Sequence, residues 1–81
     1  MTVRVLFFSV LRDITGTDEL SMPASSGANV AALLEDCFTR WPKLREWDAS
    51  LLLAVDQSYV KRDAALHENA EVALMPPVQG G

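Results

Sequence analysis

Apolar residues recur along this chain at two different periods, and the two periods divide it into strands and a helix. From Thr2 to Phe8, Val3, Val5 and Phe7 fall on one face and Arg4, Leu6 and Phe8 on the other. A period of two in β-branched and aromatic residues predicts a strand. Both faces are largely apolar, which places that strand in the middle of its sheet. Ser9 to Gly16 reads as a short turn or single helical turn, closed by Gly16 at positive φ. Asp18 to Met22 then returns as a second strand, by the logic of a hairpin.

Pro23 to Gly27 is a turn cluster, and Asn29 after it can cap a helix by accepting a hydrogen bond from an unpaired first-turn amide. Val30, Leu33, Leu34, Cys37, Phe38 and Trp41 lie at i, i+3, i+4, i+7, i+8 and i+11, one continuous apolar stripe. The spacing predicts a helix from Val30 to about Trp41, stopped by Pro42. Lys43 to Ser50 is charged and reads as irregular, with Trp47 folded back as a lid on the core. Leu51 to Val55 is a further strand, Asp56-Gln57-Ser58 a turn, and Tyr59-Val60 a short returning strand. Lys61 to Ala70 is a polar connection anchored by Leu66, and Val72 to Met75 is the last strand.

One helix and several strands predict a two-layer α+β domain, a mixed sheet of about four to five strands wrapped over one face of the main helix. The first and last strands are the most apolar, so they should lie side by side at its centre. That order fits the β-grasp, or ubiquitin-like, arrangement. The division is a domain over residues 1–75 and an extended tail over residues 76–81.

Composition narrows the function classes. Eighty-one residues make one domain, of a size that buries only ~60% of its unfolded surface and leaves little room for an internal active-site cavity. The hydrophobic fraction of 49% and charged fraction of 22% fit a soluble globular domain. The net charge of −4, with Lys and Arg few and scattered, argues against nucleic-acid binding and suits a partner with a basic face. The lone Cys37 cannot form an internal disulfide. The apolar run from Val5 to Leu11 is too short for a membrane span and lacks a signal-peptide pattern. A cytoplasmic chain with no membrane partner is expected.

Internal residues supply no catalytic constellation. His67 lies in a polar turn with nothing in the sequence to place an acid or nucleophile beside it, and reads as a surface histidine. Glu35 and Asp36 are adjacent helix positions that point in different directions and read as a solvated face. Cys37, in the middle of the apolar stripe, reads as a small buried hydrophobe with a raised pKa. Arg12 reads as a solvated arginine. Neither a Gly-rich phosphate loop nor a multi-Cys/His metal set occurs, so no metal or bound cofactor is expected.

The end of the chain is different. From Val72 to Gly81 no side chain is charged. Pro76 and Pro77 stop strand pairing and favour an extended conformation that leads the chain away from the sheet. The six residues Pro76, Pro77, Val78, Gln79, Gly80 and Gly81 reach roughly 20 Å when extended. Gly80 and Gly81 have no Cβ, so a narrow channel can close around their backbone and a nucleophile can approach the terminal carbonyl. A frayed terminus is the plain alternative.

Val5-Leu6-Phe7-Phe8, Arg12-Asp13 before Gly16-Thr17, Leu52-Leu53-Ala54-Val55-Asp56-Gln57, Glu71-Val72-Ala73 and Pro76-Pro77-Val78-Gln79-Gly80-Gly81 together resemble the small subunits of molybdopterin synthase, ubiquitin-like sulfur carriers of β-grasp fold. The likeness covers essentially the whole chain. It departs at Glu68-Asn69-Ala70, where an Asp-Gly-Asp turn is usual, and at Gln79, where a smaller residue is usual; Asn69 tolerates the positive φ such a turn needs. The resemblance implies that an E1-like adenylating enzyme uses ATP to join Gly81 to AMP, that a sulfur donor converts it to a thiocarboxylate, and that the tail threads into the large synthase subunit. There its sulfur would attack cyclic pyranopterin monophosphate. The chain alone would be non-catalytic. A thiamine-pathway sulfur carrier and a ubiquitin-like protein modifier use the same tail; Pro76-Pro77 favour the pterin pathway.

Leu6 and Phe8, with Ala73 or Met75 of the last strand, form a second apolar group. It is either a partner-binding patch beside the tail or a small second core under the Lys43 to Ser50 segment.

Overall fold

The computed structural model describes residues 1–77. β1 (Thr2–Phe7), β2 (Glu19–Pro23), β3 (Leu52–Val55), β4 (Ser58–Tyr59) and β5 (Glu71–Met75) form one sheet in the order β2-β1-β5-β3-β4. β1 and β5 are parallel and central, and the other pairs are antiparallel. The short helix α1 (Val10–Thr15) follows β1, and the main helix α2 (Val30–Arg40) joins β2 to the second half of the sheet. This is the expected mixed β-grasp sheet, at five strands. The β4 strand is shifted by one residue from the expected Tyr59-Val60.

The two periods decide what is buried. Val3, Val5 and Phe7 of β1, Leu53 of β3 and Val72 and Leu74 of β5 face α2, whose Val30, Leu33, Leu34, Cys37 and Phe38 are all buried. Leu66 is buried as an anchor of the polar connection. Phe7 also meets Trp41 edge to face, with ring centroids 5.2 Å apart, a geometry that adds about 0.5–1.5 kcal/mol to the area buried.

The ends of α2 are set locally. Asn29 Oδ1 accepts the Ala32 N–H at 3.0 Å, a cap whose loss typically costs about 1 kcal/mol. Two more first-turn donors are taken by the polar connection, Val30 N–H by the Ala64 carbonyl and Ala31 N–H by the Arg62 carbonyl. That connection therefore serves as a cap for the helix as well as a link between strands. Trp41 is the residue after the helix, and Pro42 begins the next segment.

That segment corrects one expectation. Pro42–Ser50 is a 3-10 helix rather than irregular chain, and its buried residue is Leu44, with Trp47 only half-buried against the core. Arg62 holds it in place, its guanidinium lying 2.6 Å from Asp48 Oδ1 and donating to the Asp48 carbonyl. The segment packs on α2 and α1.

Among the described residues no helix is long and apolar enough to cross a membrane.

Candidate functional site at the exit of the last strand

The strand that leads to the tail is held on both edges. β5 is bonded to β1 on one side and β3 on the other, and its last residue, Met75, pairs with Leu52. Pro76 and Pro77 follow, half-buried and outside any strand. Neither has an N–H to give to a ladder, so pairing stops there for a covalent reason. The proposed tail residues Val78, Gln79, Gly80 and Gly81 lie outside the described residues.

Beside this exit the outer face of the sheet is apolar. The register aligns Leu6, Ala73, Ala54 and Tyr59 across four strands. A second row holds Met75 and Leu52, and Phe8 joins it by donating its N–H to the Leu74 carbonyl at 3.3 Å. Ala54 is buried at 7% exposed; none of the others is buried, and none of them joins the core cluster. Phe8 is 44% exposed and Tyr59 75%. The alternative of a second core under the Lys43 to Ser50 segment fails on topology, because that segment packs on the helical layer. An open groove of about 670 Å³ lies at the β3–β4 edge, lined by Leu51, Leu52, Leu53, Tyr59 and Val60 and by the charged run Lys61, Arg62 and Asp63.

Charges close the other end of the face. Arg4 lies 3.5 Å from Glu71 and 3.8 Å from Glu19, a group with one negative charge in excess that contributes little stability at this exposure. At the exit end, Arg12 is exposed and lines a cleft of about 260 Å³ with Leu6, Phe7, Phe8, Ser9, Asp18 and Glu19.

Two features here escape sequence reasoning. Tyr59 is an aromatic residue in a two-residue strand, where no period can assign its face. Ser9, which turns the chain from β1 into α1, has φ 56° and ψ −129°. A non-glycine residue in that region stores about 1–3 kcal/mol of strain. That turn fixes where Phe8 leaves the sheet.

The remaining candidates behave as follows. Cys37 is buried with its Sγ 3.9 Å from Met22 Sδ. Burial, then the Asp36 charge, pushes the thiol up to about 12, so at neutral pH it stays protonated. Glu35 and Asp36 are exposed, and Glu35 lies 3.6 Å from Arg45. Asn69 adopts φ 64°, as its turn requires. For His67 the structure differs from expectation: Asp56 Oδ2 lies 2.5 Å from its Nε2. The pair sits at the Glu71 end of β5, roughly 13 Å from Met75 along the strand, away from the tail. Among the described residues no group of three or more metal-ligating side chains occurs.

A central parallel pair, one main helix across the inner face and a chain that leaves the sheet from its middle strand define a ubiquitin-like protein of β-grasp type. The model of the ThiS family matches residues 5–81, and the chain belongs to that family. The molybdopterin synthase sulfur carrier subunit of Escherichia coli (strain K12) is 39% identical over 82 residues, covering 98% of this chain and 99% of that one. A Pyrococcus furiosus structure provisionally assigned as subunit 1 of the molybdopterin converting factor superposes with a TM-score of 0.88 at 31% identity, covering 96% of this chain and 99% of its own. A Helicobacter pylori complex of subunits 1 and 2 of the molybdopterin-converting factor contains a chain matched at a TM-score of 0.70 and 24% identity, with all of both chains covered.

Proposed function

We propose that this chain is the sulfur carrier of molybdenum cofactor biosynthesis, bearing its sulfur as a thiocarboxylate on Gly81. The supporting observation is the combination of a central strand that ends in Pro76-Pro77 beside an uncovered apolar face with full-length similarity to a curated sulfur carrier subunit. The Gly81 carboxylate is a poor electrophile. Attack of its oxygen on the α-phosphorus of ATP, with loss of pyrophosphate, makes an acyl-adenylate with AMP as leaving group. A donor of sulfide sulfur then displaces AMP at the carbonyl carbon and leaves the thiocarboxylate. Both steps belong to partners, an E1-like adenylating enzyme and the sulfur donor. In the large synthase subunit the thiocarboxylate sulfur bonds to a side-chain carbon of cyclic pyranopterin monophosphate in place of an oxygen substituent, which leaves, and hydrolysis of the resulting thioester returns the Gly81 carboxylate. Two such transfers supply the dithiolene.

The outer face gives this cycle its docking surface. Leu6, Phe8, Met75 and Tyr59 present apolar area to the large subunit, and Pro76, Pro77, Val78, Gln79 and Gly80 thread toward its active site. Gly-Gly at the end keeps the channel narrow.

Reconstitution tests the reading against its closest rival. The thiocarboxylated chain, mixed with a molybdopterin synthase large subunit and the pterin precursor, should yield molybdopterin. Failure there, with successful thiazole formation by the thiamine-pathway enzymes, would move the chain to that pathway.

A further inference from the structure

The one histidine of the chain is held between two acceptors. His67 Nε2 lies 2.5 Å from Asp56 Oδ2, and Nδ1 lies 2.9 Å from the Glu68 carbonyl oxygen. A neutral imidazole has one N–H and can satisfy only one of these contacts, whereas the imidazolium donates to both. The other Asp56 oxygen accepts the Glu71 N–H at 3.0 Å, and the Asp56 N–H donates to the Glu71 carbonyl at 2.8 Å. Ring, β3–β4 turn and first residue of β5 are thus joined by a continuous set of hydrogen bonds. The turn needs that support. Asp56 and Gln57 have φ 51° and 70°, and left-handed backbone at a non-glycine residue costs roughly 1–2 kcal/mol. β4, two residues long, touches only β3 in the sheet.

We propose that His67 and Asp56 form a proton-sensitive latch that holds the β3–β4 hairpin against the start of β5, tightest when the ring carries both protons and weakened, from an ionic to a neutral hydrogen bond, when it loses one. Because β4 carries Tyr59, the latch sets how firmly the far end of the apolar row is held.

The electrostatics run in the required direction. The hydrogen bond to Asp56, then that to the Glu68 carbonyl, raises the imidazole above its ordinary 6.5. The Glu71 N–H, then the His67 hydrogen bond, lowers the Asp56 carboxyl below its ordinary 3.8. The other charges near the pair are already engaged: Glu68 accepts the Thr2 N–H at 2.6 Å, and Glu71 is paired with Arg4 of β1, which also acts on Asp56. A raised imidazole makes the contribution complete below pH 6.5 and lost as pH rises through the folded value. A lowered carboxyl makes it complete above pH 3.8 and lost as pH falls through its folded value. The latch is therefore tightest between those two limits and weakens on the alkaline side.

Proton NMR of the full chain tests this, since a single histidine gives unambiguous ring signals. The ring should titrate with a midpoint above 6.5, and Asp56→Asn should bring it back toward that value. After correction for intrinsic rates, amide protection at Val60 and Glu71 should be at least about threefold higher at pH ~6 than at pH ~8, and His67→Gln should abolish the difference. A wild-type midpoint at or below 6.5, or the same pH dependence in His67→Gln, overturns the proposal. So does an equal change at the core amide of Leu74, which would assign the effect to the whole fold.

Discussion

Replacing Phe8 by aspartate is expected to separate docking from folding, and its neighbour Phe7 supplies the contrast. Phe7 is 2% exposed on the inner face, whereas Phe8 is 44% exposed on the outer one. Fully burying a phenylalanine is worth about 1.5–3 kcal/mol, so the area Phe8 still has to give a partner corresponds to about 1 kcal/mol. A carboxylate in its place would be left unpaired against apolar surface, which adds about 2 kcal/mol or more. The sum of about 3 kcal/mol is more than a hundredfold in affinity. The isolated domain loses only the half of Phe8 that is already covered, about 1–1.5 kcal/mol, out of a total stability of about 4–12 kcal/mol for a chain of this length. Phe7→Ala, by contrast, should cost about 3–5 kcal/mol of stability. Calorimetric titration with the large subunit and thermal melts of the free chain measure both quantities. Equal stability losses in Phe8→Asp and Phe7→Ala, or unchanged affinity in Phe8→Asp, would refute the assignment of Phe8 to a docking face.

The other predictions use the same measurements. Ser9→Gly removes strain at φ 56° and should stabilise the domain by about 1 kcal/mol, net of the entropy that glycine adds to the unfolded chain; a domain of this size should then melt about 4–8 °C higher. Asn29→Ala removes the α2 cap and should lower stability by about 1 kcal/mol in denaturant titration. Cys37→Ser buries a hydroxyl without a partner and should cost about 1–3 kcal/mol, yet the variant should still accept sulfur on Gly81, as read by intact mass. The wild-type thiol should react with alkylating reagents at neutral pH only at the rate of global unfolding, because burial keeps it protonated.

The parts of the fold that were legible in the sequence are those where one face is dry. The α2 stripe and the alternation of β1 identified their buried residues because water is excluded from one side of each and the side-chain period does the rest. Asn29 and Pro42 marked the helix ends through groups they possess or lack. The Pro42–Ser50 segment stayed hidden because Lys43, Arg45, Glu46 and Asp48 mask its single buried side chain, Leu44. Tyr59 could not be placed because a strand of two residues has no period. The His67–Asp56 pair joins residues eleven positions apart, and a hydrogen bond between two turns leaves no pattern in either. Of the site, alternation and nearness to the tail point to Leu6 and Phe8 with Ala73 or Met75, and the structure places all four outside the core cluster.

The account stands on the chemistry of Gly81. The most direct test is the intact mass of the chain after incubation with ATP, an adenylating enzyme and a sulfur donor, followed by fragmentation of its C-terminal peptide. The expected result is replacement of one oxygen by sulfur on Gly81, absent from a chain that ends at Gly80. An unchanged mass with partners that load another carrier, or sulfur gained equally by the shortened chain, would contradict it.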